Sequence, residues 1–148
     1  MRYEAAAGGQ RLNRRHSNSG LAPSVGVKMM DRDHEAISGM VLELNAQAAA
    51  EKPWDRTGPL LRELIRATGC HFSLEEAMMT AANYPHAAIH RLRHEWMIDQ
   101  MRVLLARSRQ SGFAANQPLL GLLAESHFAH VAAEDLRFGL WLNATPGR

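Results

Sequence analysis

Two four-residue spacings constrain this chain more than anything else in it: His71 and Glu75 in "HFSLEEAMM", and His90 and His94 in "HAAIHRLRH". Residues four apart share one face of a helix, and both pairs fall on the apolar stripe that a helix would bury. Thr68 and Met78 flank the first pair on that stripe, and Met97 and Met101 continue the second. Imidazoles and carboxylates are costly to bury unless something inside the fold engages them. The fold must therefore be helical and must supply an internal partner for these groups.

Leucine, alanine and methionine dominate after residue 30 and β-branched residues are few, which favours helices. Punctuation divides the chain into four. The first helix is expected to begin near Asp31 and end before "EKPWDRTGP", with Ile37, Val41 and Leu44 on one face. The second is expected after Thr57, with Pro59 in its first turn and a stop at Pro85, because a residue before proline leaves the helical region. The third takes Asn83 as its cap and Pro85 in its first turn, and runs to Ser111-Gly112. The fourth takes Asn116 as cap and Pro118 just inside, and fades at "NATPGR". Short links make consecutive helices antiparallel neighbours, so the expected fold is all-α, an up-and-down four-helix bundle with a flexible N-terminal extension. Residues 25–143 form the domain, 1–24 a basic tail and 144–148 a short C-terminal tail.

Charge is unevenly placed. Residues 1–28 carry five of the 17 basic side chains and one of the 15 acidic ones, so the remaining body is slightly acidic. The basic balance therefore reads as a solvated extension and not as a nucleic-acid surface. No run approaches the eighteen or so apolar residues of a membrane span, and "MRYEAAAGGQRLNRRHSNSG" lacks the apolar centre of a secretory signal, which makes a cytoplasmic location the expectation. The single Cys70 excludes an intramolecular disulfide and a cysteine-rich zinc site; it reads as small packing, and Trp54, Trp96 and Trp141 as interhelical packing.

Eight histidines are many for 148 residues, and four helices share those on the stripes. His34 opens the first, three before Ile37; His130, with Asp135 nearby, lies on the fourth between Leu123 and Phe138. Five imidazoles and two carboxylates in one core cannot satisfy one another cheaply. Metal coordination resolves the cost, because neutral imidazoles and ionised carboxylates then become ligands. Nitrogen and carboxylate donors without thiolate suit iron, and zinc or manganese less distinctively. Spacing alone leaves the fourth helix open: five residues turn an ideal helix by about 140°, so Glu134, four after His130, aligns more easily than Asp135. His86, four before His90, is expected to be exposed, and Glu76 to face away and brace its helix.

The segments "VGVKMMDRDHEAI", "HFSLEEAMMTAANYPHAAIHRLRH" and "HFAHVAAEDLRF" resemble hemerythrins, specifically the single-domain bacterial ones, over roughly residues 25 to 142. The order His, HxxxE, HxxxH, HxxxxD carries the resemblance. It implies two non-haem irons bridged by an oxo or hydroxo group, with His90, His94 and His130 on one iron, His34 and His71 on the other, and Glu75 and Asp135 bridging. It also implies reversible dioxygen binding as hydroperoxide at the two-histidine iron, for storage, delivery or sensing. A monomer or weak oligomer is the expected assembly.

Hemerythrins usually place tryptophan and leucine four and three residues before the fourth-helix histidine, where this chain has Ser126 and His127. With Phe72 these residues are the candidate oxygen pocket, which the exchange makes more polar. Two placements of His127 stay open: donating a hydrogen bond or proton in the pocket, or rotating to the bundle edge. A di-iron redox enzyme acting on peroxide or nitric oxide, with an electron donor or reductase as partner, is the competing function. A ferritin-like oxidase is disfavoured because no Glu has a His three residues later.

Overall fold

The structure, a computed structural model, describes residues 22–144. Most of the expected tail, residues 1–24, and residues 145–148 of the expected C-terminal tail lie outside the described residues, as does His16. Among the described residues there is no strand. The helices are α1 (Lys28–Ala49), α2 (Trp54–Ala81), α3 (Ala87–Ser111), α4 (Gln117–His130) and α5 (Leu136–Ala144). A single 3₁₀ turn (Ala114–Asn116) leads into α4, and a π turn (Val131–Asp135) joins α4 to α5 in one continuous rod. α1 packs on α2 and α4, and α3 packs on α2 and α4, which closes the four-membered up-and-down bundle. No described helix is long and apolar enough to cross a membrane.

Several helix ends depart from the sequence-based expectation. α1 begins at Lys28, one turn before Asp31. The Asp31 carboxylate accepts from Ser24 Oγ and the Val25 N–H, both at 2.7 Å, so it ties down the incoming strand of chain instead of capping the helix start. α2 begins at Trp54, before Thr57, because the Pro53 carbonyl accepts from the Arg56 and Thr57 N–H groups at 3.0 and 3.2 Å. The added turn sets Trp54 over Gly58, where a Cβ would stand 2.7 Å from the indole. Asn83 is not a cap: it sits at φ 50 in the turn after α2, a conformation asparagine tolerates, and α3 starts only at Ala87. Asn116 precedes α4, but its amide turns back to the Gly112 carbonyl at 2.8 Å and Ser111 Oγ at 3.1 Å, bracing the α3–α4 connection. Cys70 is not a packing residue, since its thiol faces solvent beside Arg66, and Trp96 leaves 38% of its surface exposed.

Two apolar clusters stand at opposite ends of the bundle. One joins Val41, Leu44, Leu61, Leu64, Met101, Leu104, Leu120 and Leu123; the other joins Val25, Met30, Met79, Tyr84, Val131 and Phe138. They hold the four helices in register from both sides, and the buried histidines lie between them.

The second cluster depends on a close approach. α5 passes the Val25 backbone at Gly139, where any Cβ would run into the Val25 carbonyl. Gly139→Ala is therefore expected to destabilise the fold by about 1–3 kcal/mol through overpacking, despite the better helix propensity of alanine. Urea unfolding followed by far-UV circular dichroism measures it, and an unchanged or higher midpoint would contradict the contact.

Candidate metal centre

His34, His71, Glu75, His90, His94, His130 and Asp135 are all buried, with Glu75 and Asp135 fully inaccessible. Four helices and the π turn deliver them, and each histidine turns Nε2 inward. His34 Nε2 and His71 Nε2 are 3.0 Å apart, and His130 Nε2 lies 3.0 Å from His94 Nε2 and 3.2 Å from His90 Nε2. The Asp135 carboxylate reaches both sets, at 3.1 Å from His34 Nε2, 3.0 Å from His90 Nε2 and 2.9 Å from His130 Nε2. Glu75 Oε2 is 3.3 Å from His94 Nε2, 3.7 Å from His90 Nε2 and 3.8 Å from His71 Nε2.

These contacts are short, yet neither oxygen of Glu75 or Asp135 has an aligned hydrogen-bond partner. Buried carboxylates are rarely left so. Lone pairs converging on a shared point from imidazole and carboxylate alike suit a cation between them. Two overlapping groups have donor atoms close enough to hold one: Glu75, His90, His94, His130 and Asp135, and His34, His71 and Asp135. All seven residues singled out from the sequence as candidate ligands are brought together.

The choice between Glu134 and Asp135 is decided by the backbone. Val131–Asp135 form a π turn, whose hydrogen bonds run from i to i+5, so the fifth residue falls where the fourth would in an α-helix. Asp135 thus points inward with His130. Glu134 is displaced outward, where its Oε2 stands 3.0 Å from the outer Nδ1 of His130.

That outer contact is one of three. Glu76 Oε1 is 2.9 Å from His94 Nδ1, and Asp33 Oδ2 is 3.4 Å from His71 Nδ1. A carboxylate behind Nδ1 holds the proton there and leaves the Nε2 lone pair for the centre. The bracing role expected of Glu76 therefore acts on a candidate ligand, His94; Asp33 and Glu134 were not expected in that role, though each lies beside or near a candidate ligand in sequence. His86 is exposed, with its ring edge-on to Tyr84.

The pocket candidates separate. Phe72 lies flat on His94, ring centroids 3.7 Å apart, and covers the three-histidine side. His127 is buried, with Nε2 3.0 Å from Ser38 Oγ on α1, so it does not rotate to the bundle edge. Ser126 is half-buried one position away.

Comparison with known proteins agrees with this geometry. The family model for the hemerythrin HHE cation binding domain matches residues 25–142. The chain belongs to the hemerythrin family. It is 28% identical over 113 residues to the bacteriohemerythrin of Stenotrophomonas maltophilia (strain R551-3), covering 76% of this chain and 72% of that protein. It is 29% identical over 112 residues to the bacteriohemerythrin of Pseudomonas aeruginosa (strain LESB58), with the same coverage. No solved structure gives a significant match.

In this hemerythrin-family chain without metal, burial dominates the titrations. It pushes His71, His94 and His127 down to about 4. Burial, with Asp135 nearby, raises Glu75 to about 8. Burial opposes protonation of His130, but Asp135 and Glu134 outweigh it and lift that histidine to about 9. Asp135 is disfavoured as an anion by burial, yet His130, His34 and His90 hold it below the usual carboxylate range. Below pH 6.5 the unfolded chain charges His71, His94 and His127 while the folded chain keeps them neutral, so stability falls with acid. Above pH 6.5 the folded chain retains protons on Glu75 and His130 that the unfolded chain has released, so stability falls again until about pH 8 to 9. Metal-free protein should accordingly show its highest thermal midpoint near pH 6.5, and a midpoint rising steadily from pH 6.5 to 8 would contradict this balance.

Proposed function

We propose that the protein holds two non-haem irons, bridged by a solvent-derived oxo or hydroxo group, and binds dioxygen reversibly for storage, delivery or sensing. His90, His94 and His130 hold one iron, His34 and His71 the other, and Glu75 and Asp135 bridge them. The observation that carries this reading is the unequal division of donors around a shared carboxylate. Asp135 belongs to both groups, but one group adds three imidazoles and Glu75 while the other adds only two imidazoles. The position with fewer protein donors has room for an outside ligand.

Two ferrous ions supply the electrons that dioxygen binding takes in this family. The chain's own residues do the rest. Asp33 and Glu76 hold the tautomers of His71 and His94, and Glu134 stands 3.0 Å behind His130 Nδ1 as a charge partner. Phe72 and the two apolar clusters exclude bulk water from the centre. The bundle thereby slows loss of electrons to solvent oxidants.

A second reading, redox catalysis on peroxide or nitric oxide with an external electron donor, is favoured by the buried Ser38–His127 pair, which makes the interior more polar than a carrier needs. Steady turnover with a reductant would mark it.

Ferrous protein prepared without air, then exposed to it and deoxygenated again, distinguishes the two. A visible charge-transfer band that forms in air and fades on deoxygenation is expected. Immediate and permanent conversion to the ferric spectrum would overturn reversible binding and leave redox catalysis.

A further inference from the structure

Immediately beside the seven donors, three of the four bundle helices place a polar side chain where an apolar one would be cheaper. Ser38 follows His34 by four residues on α1, Thr68 precedes His71 by three on α2, and His127 precedes His130 by three on α4. Because α1 runs opposite to α2 and α4, all three lie in one layer, a turn away from the donors on the same side. Met97 occupies that layer on α3, and the next layer is wholly apolar, with Val41, Leu64, Met101 and Leu123. Ser38 and Thr68 are fully inaccessible and His127 nearly so.

The hydroxyls in this layer behave unlike those on the helix surfaces. Ser73, Thr80 and Ser111 each donate back to the carbonyl four residues earlier, the ordinary outlet for a helical hydroxyl. Ser38 instead meets His127 Nε2 across the bundle at 3.0 Å. Thr68 Oγ1 is buried and has no hydrogen-bond partner at all. A buried hydroxyl without a partner is rare and calls for an explanation such as a ligand. Two of the three helices carrying this layer, α1 and α2, are those that bring His34 and His71.

We propose that Ser38 and Thr68, with His127 as the positioning residue behind Ser38, form a hydrogen-bonding site for a small anion bound at the two-histidine position. The inference rests on the di-iron reading. In it His127 donates its Nε2–H to Ser38 Oγ, which leaves the Ser38 proton free; with the Thr68 proton this gives two hydroxyl donors in the layer beside the two-histidine position. Such a site prefers a compact, hydrogen-bond-accepting anion over an apolar diatomic of the same size, because a neutral apolar ligand leaves both donors unpaired.

Azide is the probe. Iron is counted in each protein first, and azide is then titrated into the diferric form while its antisymmetric stretch is recorded in the infrared. Thr68→Val and Ser38→Ala are each expected to weaken azide about tenfold and shift the stretch, with two irons retained. Ser38→Ala combined with His127→Leu should be no weaker than Ser38→Ala alone, since His127 acts through Ser38. In metal-free protein, nitrogen chemical shifts should give His127 as the Nε2–H tautomer; the Nδ1–H tautomer would overturn the assigned direction of donation. Affinities within twofold of wild type and an unchanged stretch in both Thr68→Val and Ser38→Ala, at full iron content, would overturn the site while leaving the di-iron reading intact. Wild-type protein that takes up no iron would overturn both.

Discussion

Seven ionisable side chains at the centre of a bundle cannot be satisfied by one another, and the structure is arranged around that fact. Neither oxygen of Glu75 or Asp135 has an aligned hydrogen-bond partner, and the imidazole nitrogens of His34, His71, His90, His94 and His130 face inward with them. Leaving such groups buried and unpaired would consume a large share of a domain's marginal stability. The apolar clusters at either end fix the helices so that the donors meet, and a cation is the partner that removes the penalty.

The same constraint explains the local irregularities. A regular α-helix from Gln117 to Ala144 would bring Glu134 and not Asp135 beside His130. The π turn absorbs one extra residue, turns Asp135 inward, and moves Glu134 to the outer nitrogen of the same histidine. Its exposed Ala132 and Ala133 offer no bulk that would resist the bulge. Carboxylates behind His71 and His94 repeat one device, orienting each ring without entering the centre, and Glu134 stands as a charge partner behind His130.

Much of this was legible in the sequence because helical geometry is simple where it is regular. His71–Glu75 and His90–His94 follow from a four-residue spacing on an apolar stripe, and the bundle follows from four stripes with short links. Asp135 was not legible from spacing, because a π turn leaves no periodic signal in five residues; only the resemblance pointed to it. The starts of α1, α2 and α3 shifted because backbone contacts at Asp31, Pro53 and Asn83 override propensity at the ends. Thr68 and Ser38 were hidden in the opposite way: small polar residues on a buried stripe look like ordinary packing until their hydrogen bonds are followed. Cys70, expected as small packing one helical step off the His71 face, is instead turned to solvent, because that step carries it past the helix contacts.

The most direct test of the account is the metal stoichiometry of the purified chain after anaerobic loading with ferrous iron. Two overlapping donor groups that share Asp135 predict two irons per chain, and Asp135→Asn should lower that number while leaving the helical circular dichroism unchanged. A single iron in the wild-type protein, or two irons retained when Asp135 is replaced, would contradict a centre built around the shared carboxylate.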